Sequence, residues 1–216
     1  MIRIFDTAEY VTNAAAAMQA QGLQAVIRYI NHSNSQQLPH KRITAVERAA
    51  IKTAGLELAL VFQQRQTLPQ DFTPDAGARA ATRAFTYARD VVGRPDGRPI
   101  YFSVDNSVET EPFFRAVDGF FTAVNTTLAA LAGGGPAVPV GVYGCGAVCA
   151  RLKAANLASY FWLAGATGWN GYRPFLASGA WHLNQAATAA TLAGVPGEGD
   201  AANPLHPDFG AFTPTL

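Results

Sequence analysis

The chain has 216 residues, of which 49% are hydrophobic and 14% charged, and its formal net charge is +1. That length suits one large barrel-sized domain, and the apolar content excludes a disordered chain. The near-neutral balance leaves no electrostatic footprint for nucleic acid or an anionic membrane surface. No apolar run reaches the roughly 18 residues of a membrane-spanning helix.

Strands and helices alternate from the first residue. Residues 2–6 read as a strand ending on Asp6, followed by an alanine-rich helix over 8–21 that Gly22 stops. Residues 25–30 form a second strand. Thr44-Ala-Val-Glu47 has the spacing of a capping box, in which Thr44 accepts an amide hydrogen bond while Glu47 reaches back. The helix it opens runs to Ala54 and stops at Gly55. A third strand covers 56–62, and an amphipathic helix over 75–92 ends in Gly93-Arg-Pro-Asp-Gly97. Pro99-Ile-Tyr-Phe-Ser-Val-Asp105 is a fourth strand ending on a second acid, before a helix over about 110–131 that Gly133-Gly-Gly-Pro136 breaks. Strand five spans 138–143, a short helix 145–154, and strand six 159–164. Glycines at 165, 168, 171 and 179 then disfavour any helix longer than about two turns. Residues 180–185 read as a last strand, and the Gly/Pro-rich tail 193–216 is expected to wrap the surface of a single domain, 1–216.

This rhythm implies a parallel sheet covered on both faces. Two α/β architectures fit: an open doubly wound sheet, or an irregular (β/α) TIM-like barrel whose last strands lack full helices. A regular eight-fold barrel typically takes about 250 residues, so a shortened barrel fits this chain better. The opening Met1-Ile-Arg-Ile-Phe5 enters a strand with no charged and apolar leader before it. The expectation is therefore either a cytoplasmic protein or a leader that lies outside the sequence.

Several chemistries lack their motifs. The glycines at 133–135 and at 141 and 144 match neither the dinucleotide nor the P-loop pattern, and no nucleophile elbow is present. The four histidines have no metal-ligand spacing, and His182 reads as a satisfied core or rim residue. Cys145 and Cys149, four apart on one helix, are expected to be buried, reduced thiols, because that geometry opposes a disulfide. No metal and no cofactor is expected.

What remains is acids and aromatics at strand ends. Carboxyl-terminal strand ends project into the binding crevice of parallel sheets and barrels. Asp6 and Asp105 can thus face one site, the layout that glycoside hydrolysis needs. The alternative is that each caps a helix or holds a loop. Tyr29, Tyr143, Trp162 and Trp181 could stack on sugar rings, with Gln63 and Gln185 bonding hydroxyls, or could simply pack the core.

The series Phe5-Asp-Thr7, Ile27-Arg-Tyr-Ile30, Val61-Phe-Gln63, Pro99–Asp105, Gly141-Val-Tyr-Gly144, Tyr160-Phe-Trp-Leu-Ala164 and Trp181-His-Leu-Asn-Gln185 resembles the glycoside-hydrolase-like domain of actinobacterial cell-envelope proteins. That domain is similar to the family-25 glycoside hydrolases, the lysozyme-type muramidases. The likeness runs over residues 2–210 and implies an irregular β/α barrel, a secreted or cell-envelope location and a polysaccharide such as peptidoglycan as partner. Family-25 enzymes carry an Asp at the end of strand one, matched by Asp6, and an Asp-x-Glu at the end of strand four. Here Ser103 and Asp105 take those two places, which shortens one acid and removes the other.

The function expected is a glycosidase of envelope polysaccharide, with Asp105 as proton donor and Asp6 ionised to orient water or stabilise positive charge; Tyr29, Gln63, Ser103, Tyr143, Trp162, Trp181 and Gln185 would hold the substrate. The competing reading is a carbohydrate-binding barrel without catalysis.

Overall fold

The computed structural model describes residues 1–94 and 96–215. Among these, eight strands close into a barrel. In chain order the elements are β1 (Ile4–Asp6), α1 (Ala15–Ala20), β2 (Ala25–Tyr29), α2 (Ala45–Thr53), β3 (Glu57–Phe62), α3 (Pro74–Tyr87), β4 (Ile100–Ser103), α4 (Glu111–Ala132), β5 (Val140–Gly144), α5 (Gly146–Ala154), β6 (Tyr160–Leu163), α6 (Tyr172–Ser178), β7 (Leu183–Leu192) and β8 (Val195–Ala202). Strands β1 to β7 run parallel to their neighbours, and β8 lies antiparallel between β7 and β1. This is a TIM-like α/β barrel whose last connection is a hairpin rather than a helix. No helix among the described residues is long and apolar enough to cross a membrane.

The eighth strand corrects the reading of the tail. Val195-Pro-Gly-Glu-Gly-Asp200 looks like loop because glycine and proline weaken strands in isolation. Here pairing on both edges holds it in place. A Cβ at Gly197 would collide with the Asp6 carbonyl, so only glycine lets β8 lie this close to β1. The connecting Ala193 and Gly194 both take positive φ, at 49° and 82°. That is the demand of a tight hairpin turn. Beyond β8 the chain does not wrap loosely either: Phe209 and Ala211 are buried against the barrel interior, and Phe212 pairs with Leu58.

Two helices also differ from their expected bounds. Residues 8–14 form turns rather than the first half of a helix, because Thr7 Oγ1 takes the Glu9 amide and the Val11 amide donates to Glu47. Helix α3 ends at Tyr87 and continues as a π-helical turn over Ala88–Val92, closed by left-handed Gly93; Pro95 of the following loop lies outside the described residues. Helix α6, with seven residues, stays within the two turns that its flanking glycines allow.

Inside the barrel, alternate residues of each strand point inward. The amino-terminal half is filled by Ile4, Ala25, Ala59, Tyr101 and Leu183, with Phe209 as a plug. The Tyr101 ring fits because Gly141 lacks a Cβ, which would sit 2.5 Å from that ring, and the Tyr101 hydroxyl donates to the Phe209 carbonyl at 2.8 Å. Large apolar side chains thus close one end. The carboxyl-terminal end is lined by polar groups.

Outside the barrel, Arg28 and Glu47 are fully buried and joined at 2.7 Å. Thr44 does cap α2 through the Glu47 amide, but the Glu47 side chain turns inward instead of completing the capping box. The Arg28 guanidinium also donates to the Thr7 and His40 carbonyls, and Glu47 accepts from the Val11 amide. One ion pair therefore fixes the loops after β1 and β2, directly behind Asp6 and Tyr29. Removing one partner of such a pair strands a buried charge and costs about 3–5 kcal/mol. Glu47→Ala should lose about that much in urea unfolding; a loss below about 1 kcal/mol, the worth of a surface pair, would contradict this role.

Candidate active site

At the open end of the barrel a cavity of about 240 Å³ is lined by Asp6, Tyr29, Val61, Gln63, Ser103, Asp105, Tyr143, Trp162, Gln185 and Glu198. Eight of the nine side chains singled out from sequence meet there. The exception is Trp181, which precedes β7 at the closed end and donates its indole N–H to the Leu176 carbonyl at 3.1 Å. Sequence reasoning put it in the last strand, but a residue two places before that strand begins cannot reach the opposite rim. His182 also lies at the closed end, stacked on His206 at 5.1 Å, with its Nδ1 accepting from the Phe161 amide. Burial and the neighbouring His206 push its pKa down to about 4. Cys145 and Cys149 are buried free thiols outside the cavity.

A glutamine presents each of the two expected acids. Gln63 donates to Asp105 Oδ2 at 2.9 Å while its oxygen accepts from Lys41 Nζ at 2.8 Å. Gln185 donates to Asp6 Oδ2 at 3.1 Å, and its oxygen accepts from the Tyr143 hydroxyl at 2.9 Å and the Gly165 amide at 3.2 Å. In both cases the donors on the oxygen side fix which way the amide faces. Lys41 Nζ also lies 4.5 Å from the centre of the Tyr29 ring.

Two further acids escaped the sequence reading. Glu198 and Asp200, two apart on β8, face inward on the same side as Asp6. Their signal was the alternation Gly197-Glu-Gly-Asp200, which puts both carboxyls on one strand face once the segment is recognised as a strand. Asp200 accepts from the Trp162 indole N–H at 2.7 Å. The role of Trp162 is thus to hold this inner acid; at 1% exposure it offers no free face to a sugar. The second oxygen of Asp200 is buried without a hydrogen-bond partner, and the charges of Asp200 and Asp6 act on one another. Two buried carboxyls in that relation favour a proton on at least one of them.

Electrostatics agree with that proton. Burial, reinforced by the Glu198 charge and opposed by the Gln185 hydrogen bond, pushes the Asp6 pKa up to about 7. Burial and then the Asp6 charge push Asp200 well up as well. The sequence reading leaves Asp6 ionised. Its burial beside a second acid works against that. Asp105 is also raised by burial, but the Gln63 hydrogen bond and the Lys41 charge favour its ionised form. Lys41 itself is lowered to about 8 by burial, with Asp105 pulling it up.

A raised carboxyl pKa has a stability consequence of definite sign. The folded state holds the Asp6 proton more tightly, so stability falls as pH rises from about 4 to about 7 and stays reduced above that. Asp6→Asn removes the ionisable group and keeps the shape of the side chain. The variant should be more stable than the parent by about 2–4 kcal/mol at pH 8, with the difference shrinking towards zero near pH 4. Denaturant titrations at the two pH values check this; an equal or negative difference at pH 8 would contradict it.

The architecture has counterparts. The Tat-secreted protein Rv2525c of Mycobacterium tuberculosis, crystallised with L-tartrate, superposes with a TM-score of 0.78 at 22% identity, covering 96% of this chain and 97% of that one. An uncharacterized B. stearothermophilus protein gives 0.67 at 17% identity, with coverage of 96% and 98%. In sequence, the uncharacterized protein YbfG of Bacillus subtilis (strain 168) is 31% identical over 191 residues, which is 83% of this chain and 25% of that protein. The chain thus spans a quarter of that relative. Residues 16–200, which run from α1 through the acid-bearing part of β8, match one family throughout, and the chain belongs to the Rv2525c-like, glycoside hydrolase-like domain family.

Proposed function

We propose that the cleft hydrolyses a glycosidic bond of a bacterial cell-envelope polysaccharide, with peptidoglycan or a related glycan as the substrate class. The observation that carries this reading is one polar cavity holding two strand-end carboxyls, Asp6 raised to about 7 by burial and Asp105 raised by burial against the pull of the Gln63 hydrogen bond and the Lys41 charge. Paired carboxyls in unlike surroundings are how acid and base roles divide at neutral pH. Membership of the glycoside hydrolase-like family supports the same chemistry.

In this reading the roles assigned from sequence are exchanged. Asp6 gives its proton to the glycosidic oxygen, and the leaving sugar departs with the bonding electron pair. The Asp105 carboxylate faces the positive charge that develops at the anomeric carbon, and water completes the reaction. The water that adds at that carbon gives up a proton to the ionised Asp6, which restores the acid for the next cycle. Tyr29, Tyr143 and Ser103 frame the sugar; the Ser103 hydroxyl is buried without a partner and is available to one of its hydroxyls. Export to the envelope belongs to this proposal as well, and the Tat-secreted description of the M. tuberculosis relative supports it.

A second reading is a barrel that binds glycan without cleaving it. Ser103 favours it, because it stands where the resembled family-25 pattern has an acid.

Release of reducing ends from peptidoglycan, arabinan and galactan fragments separates the two. With a general acid at work, Asp6→Asn and Asp105→Asn should each lower turnover by about 100-fold or more while binding changes little. Saturable binding without any cleavage by the parent protein would establish the second reading. Neither binding nor cleavage would defeat both.

A further inference from the structure

Beside the acid cleft lies a second cavity of opposite character. It encloses about 230 Å³, and His32, Arg65, Gln70, Asp71, Thr73 and Arg79 are among its lining residues. The two are separated by the segment 63–66. On one side Gln63 reaches Asp105; on the other, Gln64, Arg65 and Gln66 face the second cavity. Gln66 makes this wall rigid. Its side-chain oxygen takes the amides of Gln64 at 2.6 Å and Arg65 at 3.1 Å, and its carbonyl takes the Asp105 amide at 2.8 Å. It holds a left-handed backbone, φ 56°, that a residue with a Cβ adopts only when its surroundings impose it.

The charge in this corner is not compensated by the protein. Among the described residues the guanidinium groups of Arg65 and Arg79 have no hydrogen-bond or ion-pair partner. Arg83 donates to the Asn31 carbonyl at 3.3 Å, and Arg42 to the His32 carbonyl at 2.6 Å. Both stack on Tyr87, at 4.1 and 5.4 Å, and neither meets a carboxylate. Asp71 is the one acid lining the cavity, and its Oδ2 is occupied by the amides of Thr67 and Leu68 at 3.1 and 2.9 Å. Two guanidinium groups and a histidine therefore line the cavity with one engaged carboxylate, and Arg42 and Arg83 stand behind them, in a chain whose net charge is only +1. Partial burial, and then the charges of Arg83 and Arg79, hold the His32 pKa down. Concave sites of one sign focus ligands of the other, and arginine matches the planar oxygens of carboxylate and the face of phosphate.

We propose that this pocket is an anion subsite of the cleft, taking a carboxylate or phosphate substituent on a sugar next to the one held between Asp6 and Asp105. The inference rests on the glycan reading for its substrate and adds that the glycan is acidic. The adjoining cleft strengthens the point: it offers an anion carboxyls and no guanidinium, so a charged substituent is steered to the arginine side and a neutral ring to the acids.

The direct test follows the His32 imidazole by NMR at physiological salt, with the other three histidines as internal controls. Inorganic phosphate, D-glucuronate and D-glucose are added separately. Phosphate or glucuronate should bind saturably and raise the His32 pKa, and the tighter of the two identifies the substituent; glucose should do neither. Arg65→Gln with Arg79→Gln should weaken the anion by about tenfold or more, with the melting temperature of the parent as the check on folding. The absence of a saturable His32 response, or equal affinity in the double variant, overturns the proposal. Cleavage assays keep the two ideas apart. A protein that binds phosphate at His32 but cleaves no glycan loses the hydrolase reading and keeps the anion site. One that cleaves neutral and acidic glycans at equal kcat/KM with no His32 response keeps the hydrolase reading and loses the anion site.

Discussion

Two buried carboxyl groups whose charges act on one another inside a closed barrel resist carrying charge together at neutral pH. Each ionised group would lose most of its hydration, and the mutual repulsion would add to that cost. At Asp6 and Asp200 burial raises both pKa values, and the rest of the cleft is arranged around this pair. Trp162 satisfies one oxygen of the inner acid, and Gln185 orients the outer one towards the open end. Asp105 is also raised by burial, but it has a cation as well as an amide donor that favour its charge. One cavity therefore holds the same side chain in two unlike surroundings.

This arrangement depends on how the barrel closes. Seven parallel strands leave a gap that β8 fills from the opposite direction, and β8 brings Glu198 and Asp200 into the interior. Gly197 permits the approach to β1, and Tyr101 and Phe209 fill the other end so that the polar groups have one exit. Behind the site, the Arg28–Glu47 pair clamps the Thr7 and His40 carbonyls, so the loops that follow Asp6 and Tyr29 are fixed from the outside.

Much of this was legible in the sequence where a single strand decides the outcome. Asp6, Tyr29, Gln63, Asp105 and Tyr143 sit at the ends of clear apolar strands, so their common destination followed from barrel geometry. Trp181 misled because strand boundaries move by a residue or two when pairing, not propensity, sets them. Strand β8 was hidden for a deeper reason. Its glycines, unfavourable locally, are required by a neighbour nearly two hundred positions away, and a contact of that separation leaves no local trace. The same blindness affected the charges: a carboxylate at a strand end looks ionised until its acidic partner is found.

The most direct measurement is the titration of the aspartate carboxyl carbons by 13C NMR, read separately for Asp6, Asp105 and Asp200. The expected result is that Asp6 keeps its proton into the neutral range and loses it near pH 7, with Asp200 held well above its ordinary value beside it. If Asp6 instead titrates near its ordinary value of 3.8, burial does not hold its proton, and Asp6 cannot be the acid of this site.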